Sequence, residues 1–392
     1  MKRIRAFLLV ATASVVAPAC DPGVDNPNGN GTGSDDNGSG TAADEWNKKL
    51  EARTFDYNAA LRIAALRLTG DLPTMNEINQ VATAADDAAK KGAYEALVDQ
   101  YIARPTFARQ MMLYFRDTFR MGGTLGTVDL ESAPAFGASL AVANDSYMKL
   151  LTATTGTCPT FNGTTFTPAN CANGVTTHAG ILTNPGMLAQ FDSNLAFRRV
   201  RFVQETFNCQ KHPAESRDTP ETRDGKLYTS AFPWESLAGR TNGGRIDFFD
   251  TSGVVCANCH GAINHMAPLF ANFNPQGMLQ ANIVVKTPLA PPNDVARLSD
   301  FLKAGEPYAY RLGQATPDLP ALGAAMAADP EVQACAVKRF WNWALGRADI
   351  VNDLELVPAT VVQKQVDDFK ANGFKIKDLI RAIMVSEDFT KF

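Results

Sequence analysis

The sequence has no block of basic residues, no internal repeat and little of the apolar–polar alternation of β-strands. With 37 basic against 41 acidic residues the net charge is −4, so nothing marks a nucleic-acid partner. No Ser-His-Asp order, phosphate loop or metalloprotease helix is present, which leaves hydrolase and nucleotide chemistry without a motif. Asp and Glu are abundant, yet no spacing singles out an acid–base pair. Histidine and cysteine are scarce, with four and seven copies. What is there is an ordinary apolar fraction of 45% in 392 residues. That length suffices for roughly two or three compact units at ~100–200 residues each.

The first twenty residues point to export. Lys2, Arg3 and Arg5 precede an apolar stretch from Ala6 to Val16, and Ala17-Pro18-Ala19-Cys20 supplies small residues for cleavage. About eleven apolar residues are too few to span ~30 Å of hydrocarbon. Two readings stand: an ordinary secretory signal cleaved after Ala19, or a lipoprotein signal in which Cys20 carries the lipid. Cys20 stands between small residues and a flexible tether, which favours the second, although Ala17 occupies the place where a lipobox usually has Leu. Residues 1–19 are therefore expected to be a signal peptide. Residues 20–45, mostly Asn, Gly, Asp, Ser and Thr, are expected to be a disordered tether. About 25 such residues reach roughly 25–30 Å, enough to hold a domain clear of a membrane.

Order is expected from Trp46 onward, and it reads as helical. Leu61, Ala64, Ala65 and Leu68 repeat at helical spacing, with Gly70 as a stop. Thr74-Met75-Asn76-Glu77 is a capping box opening the next helix. Further helices are predicted over 93–103, broken at Arg104-Pro105, over 107–121, and once within 124–150. Met111, Met112, Tyr114, Phe115 and Phe119 read as packed core. Residues 151–175 read as a polar loop with a small hairpin, and a helix over 196–207 carries Arg198, Arg199 and Arg201. Residues 210–250 read as loop-rich. Asp329-Pro330 caps and opens a helix running to Gly346. Helices over 359–371 and 376–385 close the chain.

The strongest chemical signal is Cys256-Ala257-Asn258-Cys259-His260. Two thiols at this spacing can each add across a haem vinyl group, and the adjacent histidine then ligates iron from the proximal side. With Cys and His this scarce, chance would produce the pattern in on the order of one such chain per thousand. A Cys-x-x-Cys redox disulfide would ask for a βαβ setting, which is not in evidence. A zinc site would ask for a second ligand pair; His265 could serve as a third ligand, but there is no second Cys-x-x-Cys. For the sixth iron position the candidates are Met266, Met278 and His178, a methionine being the choice that raises the potential. His178 also has the ordinary reading of a hydrogen-bonded structural histidine. His265 follows His260 too closely to swing to the opposite face. An open sixth position would point to peroxidase-like or sensing chemistry.

Setting aside Cys20, Cys256 and Cys259 leaves Cys158, Cys171, Cys209 and Cys335, for which three pairings exist. Cys158 and Cys171 flank a Thr/Asn/Gly-rich loop and are expected to close it, leaving Cys209 to pair with Cys335. Free buried thiols are the alternative.

The segment Cys256 to His260 followed by Ile263-Asn264-His265-Met266-Ala267-Pro268-Leu269-Phe270-Ala271-Asn272-Phe273-Asn274 resembles the haem-motif segment of planctomycete-type cytochrome-like exported proteins. These are built of domains of unknown function and are also found as bacterial lipoproteins. Their motif usually continues as Ile-Asp-Pro-x-Gly-Phe; here Asn264 replaces the Asp, an insertion precedes Pro268, and Leu269 stands where Gly is usual. His178 to Thr183 and Arg198 to Cys209 are similar to the segment preceding the motif. Cys335 to Arg347 and Phe374 to Phe389 resemble the family's C-terminal helical domain, and Leu68 to Thr74 its N-terminal one. The expectation is a mainly α protein: helical bundles with a c-type cytochrome-like haem segment and loop-rich insertions. Its parts are an N-terminal helical domain (46–150), a haem-motif domain with the disulfide loop (151–305) and a C-terminal helical domain (306–392). One covalent haem c would serve one-electron transfer at the cell envelope, in the periplasm or at the outer surface, with a redox partner protein and a membrane anchor at Cys20. The alternatives are a peroxidase-like haem enzyme and a non-redox, disulfide-stabilised surface lipoprotein.

Overall fold

A computed structural model of the chain describes residues 41–193, 195–210, 263–281, 307–311, 314–346 and 357–392, with short stretches at 222–223, 226–227, 283–286 and 295–297. The fold is mainly helical. In the N-terminal part, α1 (Thr41–Glu51), α2 (Tyr57–Thr69), α3 (Met75–Ala82), α4 (Asp87–Ala103) and α5 (Pro105–Phe119) follow one another with short connections. Helix α1 begins at Thr41, within the stretch expected to be tether up to residue 45.

Local chemistry sets these boundaries. Asp56 caps α2, its carboxylate accepting from Asn58 N and Ala59 N at 3.0 and 2.9 Å, and Gly70 ends the helix in the left-handed region. The capping box at α3 is complete: Glu77 Oε2 accepts from Thr74 N at 2.7 Å and Glu77 N donates to Thr74 Oγ1 at 3.3 Å. Arg104, extended before Pro105, separates α4 from α5, and the proline takes the first helical position of α5.

Residues 124–150 depart from the single expected helix. They hold a hairpin of β1 (Thr124–Leu125) and β2 (Val128–Asp129), then α6 (Ser132–Val142) and α7 (Lys149–Thr152). Asn144, at φ 51°, interrupts the helical path between α6 and α7. Helix α6 is buried on nearly all sides because it lies against α5 at close range; a Cβ on Gly137 would sit 2.5 Å from the Phe115 ring. The next elements are the hairpin β3 (Thr160–Phe161)/β4 (Phe166–Thr167), a 3-10 turn at Gly180–Thr183, α8 (Pro185–Gln190) and α9 (Phe197–Phe207). Beyond them come α10 (Leu319–Ala328), α11 (Pro330–Ala344), α12 (Gln363–Ala371), α13 (Ile376–Met384) and α14 (Glu387–Thr390). Helix α10 has no counterpart among the expected helices.

Residues from all three expected domains enter one hydrophobic core. The α5 aromatics are buried as expected, and Tyr114 stacks on Phe340 of α11 at 4.5 Å between ring centroids. Trp46 of α1 meets Trp341 edge-on at 5.8 Å. Tyr94 of α4 donates to the Met384 carbonyl of α13 at 2.6 Å. Among the described residues no helix is long and apolar enough to cross a membrane.

Candidate functional site

Cys256, Cys259 and His260 lie outside the described residues, as does Cys20. The structure describes where the chain goes after the motif. Residues 263–266 are helical and run into a 3-10 turn at Ala267–Phe270, with Met266, Ala267 and Phe270 fully buried. A tight loop follows, in which the Asn274 side chain accepts from Gln276 N and Met278 N, both at 3.0 Å.

This segment is fastened by polar groups from α9 and from the chain just after the Cys158–Cys171 loop. On α9, Arg199 shares its face with Phe202, Val203 and Thr206, so its side chain points inward and is only 2% exposed. The guanidinium makes five hydrogen bonds, one for each of its N–H groups. Nε donates to Leu188 O at 2.9 Å, Nη1 to Phe270 O and Phe273 O at 3.2 and 3.0 Å, and Nη2 to Asn274 O and Asp192 Oδ1 at 3.1 and 2.8 Å. Carbonyls at the ends of α8 and of the 3-10 turn carry partial negative charge, so the buried cation is balanced largely by dipoles. Burial pulls Arg199 down to about 10 while the Asp192 charge acts the other way, which leaves it protonated at neutral pH.

Asn173 is the second fastener. Its Nδ2 donates to Thr183 O and Gly277 O at 2.9 and 3.0 Å, and its main-chain carbonyl accepts from Leu279 N at 2.8 Å. Gly277, at φ +72°, lies so close to the start of α8 that a Cβ would fall 2.4 Å from the Pro185 carbonyl oxygen. The segment after the motif thus rests on a fixed seat.

Both expected disulfides are present. Cys158–Cys171 closes the β3–β4 loop with Cα atoms 4.9 Å apart, and Cys209–Cys335 joins the end of α9 to α11 with Cα atoms 5.5 Å apart. Asn184 links the first bridge to α8. Its Oδ1 accepts from Gly186 N and Met187 N, and its Nδ2 donates to Thr157 O at 3.1 Å beside Cys158 Sγ at 3.4 Å.

The sixth-ligand candidates fall in different settings. The His178 ring is buried, with Nδ1 3.3 Å from Thr183 Oγ1 and a hydrogen bond with the Cys171 backbone. Burial lowers its pKa from 6.5, and the Cys171 contact opposes that only in part. Met266 is in the core, whereas Met278 is 39% exposed on the loop. His265 is buried. Among the described residues no group of three or more His, Cys, Asp or Glu is placed to hold a metal ion.

Arg199, Asn173, Asn184 and Gly277 had no individual role in the sequence reading. For Arg199 a signal existed, since it stands at i, i+3, i+4 and i+7 with apolar or small residues of α9. Nothing in the local sequence marks the other three.

The fold and seat define a mainly helical, disulfide-tied protein in which residues 263–281 are fastened against α8 and α9. The family model for PSCyt2, a protein of unknown function (DUF1549), matches residues 43–136, from α1 into α6. This N-terminal part is similar to that planctomycete-type domain, and it includes the Leu68 to Thr74 segment. No curated protein and no solved structure matches the chain.

Proposed function

We propose that the chain is an exported carrier of one haem c, attached through Cys256 and Cys259 with His260 as the proximal iron ligand, and that it transfers single electrons at the cell envelope. The observation that carries this reading is the partition of the cysteines. Of seven, four are consumed by the two disulfides, so those bridges draw on neither Cys256 nor Cys259. The two thiols beside His260 have the chemistry that haem attachment requires. Bound haem supplies a centre that accepts and releases one electron, at a potential set by its ligands and burial.

The chain's own residues then position and shield that group. Two residues, and at most ~10 Å of chain, separate His260 from Ile263, the start of the segment that Arg199 and Asn173 hold further along at Phe270–Leu279. Burial of Met266, Ala267 and Phe270 keeps water from that side. His178 is buried with Nδ1 beside Thr183 Oγ1 and a hydrogen bond with the Cys171 backbone, the ordinary setting of a structural histidine, so a thioether or an open sixth position is the better reading. Cys20 carries the membrane anchor in this proposal, and the electron partner is an envelope protein.

The test is an intact mass and a pyridine haemochrome spectrum of the mature protein, expressed for export with haem-attachment machinery. A covalent haem-sized mass addition and c-type bands, both lost in Cys256→Ala/Cys259→Ala, are expected. A colourless protein of unmodified mass would overturn the proposal and leave a disulfide-tied surface protein as the better account.

A further inference from the structure

A recess of about 400 Å³ opens between α6, α7 and the β3–β4 hairpin, within the size range of small-ligand pockets. Its inner lining is apolar. Phe136 and Leu140 come from α6, and Phe166 and Pro159 from the hairpin. Its rim is hydroxylic, with Ser139, Thr152, Thr154 and Thr155. The two charges present, Lys149 and Asp145, are paired at 2.6 Å between Nζ and Oδ2. They cancel, so the recess has no net charge with which to select an ion, while donors and acceptors still stand side by side.

The hairpin wall is set before any ligand arrives. The Cys158–Cys171 bridge closes it, Cys158 N donates to Ala169 O at 2.9 Å, and Gly156 N donates to the Asn170 side chain at 2.7 Å. Phe161 stacks on Phe166 at 4.5 Å and holds that ring in place. Little ordering is then left to do on binding. A matching ligand is uncharged, has one face of C–H groups for the aromatic and proline lining, and carries hydroxyls around its edge. We propose that this recess binds a neutral pyranose sugar. The reading stands apart from the haem proposal and survives its failure.

Saturation-transfer NMR on the mature protein tests it, with methyl β-glucopyranoside, N-acetylglucosamine and cellobiose as probes and sodium glucuronate for comparison. Saturable binding of at least one neutral sugar is expected, with a millimolar or tighter dissociation constant. Thr155→Trp, which fills the recess from an exposed rim position, should abolish it. Asp145→Asn should weaken it several-fold. Should Thr155→Trp fail to fold, Phe166→Leu removes the ring at similar volume and should also weaken binding several-fold. Absence of saturable transfer from all three neutral sugars, unchanged binding in these variants, or tighter binding of glucuronate would overturn the proposal.

Discussion

Arg199→Met removes the guanidinium and keeps much of the aliphatic stem, so it isolates the polar fastening of the 263–281 segment. Five hydrogen bonds disappear, four to main-chain carbonyls and one to Asp192. Asp192, with a side chain 33% exposed, can rehydrate. The carbonyls of Leu188, Phe270 and Phe273 belong to buried residues and lose a donor. Each buried, unsatisfied acceptor costs ~1–3 kcal/mol. Against this, the variant no longer bears the desolvation of the guanidinium. Three such acceptors outweigh that relief, and the net expectation is ~3–5 kcal/mol. That is a large share of the ~5–15 kcal/mol that holds a typical domain together. Urea denaturation should show the midpoint falling. Hydrogen exchange read by mass spectrometry should show residues 263–281 exchanging about 100- to 1000-fold faster, with α5 and α6 still protected. Arg199→Lys, which keeps the charge but has three donors in place of five, should fall between the two. A loss below ~1 kcal/mol, or equal loosening throughout the molecule, would refute the view of Arg199 as the fastener of this segment.

Gly277→Ala tests the same seat without removing a polar group. A Cβ there meets the Pro185 carbonyl at positive φ, so exchange at 263–281 should rise and stability should fall by at least ~1–2 kcal/mol. Gly92→Ala carries the opposite sign. This exposed glycine inside α4 has open space around it, and calorimetry should show a gain of ~0.5–1 kcal/mol. Replacing Cys209 and Cys335 by Ser should cost more than replacing Cys158 and Cys171, because the bridges close spans of 126 and 13 residues. The chain-entropy scale gives about 4–5 against about 3 kcal/mol, and denaturation of the two double variants, ranked in the reverse order, would count against it. His178 is held below its ordinary value by burial, so the unfolded chain takes up its proton before the folded one does. Stability should therefore decline as pH falls below 6.5 and through the folded-state value, and His178→Gln should flatten that part of a stability–pH profile.

Where periodicity and capping agreed, the sequence was a reliable guide. The Thr74–Glu77 box, the Asp329-Pro330 start and the left-handed Gly70 are local devices, each decided within a single helical turn. The buried Met and aromatic face of α5 needed only the 3.6-residue repeat. Helix α6 answers to the one helix expected within 124–150, but its bounds were hidden for the opposite reason. It is buried on nearly every side, so its sequence carries no amphipathic stripe, and Asn144 breaks the path before α7. Helix α10 is likewise uniformly apolar and Ala-rich, a composition that gives propensity without a period.

The seat shows a different limit. Its fasteners act across 71 to 75 residues for Arg199 on the Phe270–Asn274 carbonyls, and across 104 residues for Asn173 on Gly277. Their partners are main-chain carbonyls, which every residue possesses, so no complementary side chain is written into the sequence for a reader to find. A carboxylate partner could have been sought by charge pairing, and among the described residues Asp192 is the one Arg199 uses. Such a design ties the position of the segment to the backbone shape of α8 and the 3-10 turn rather than to side-chain identity. Substitution of Asn272, the exposed residue of 270–274, should then be tolerated far better than any change at Arg199 itself.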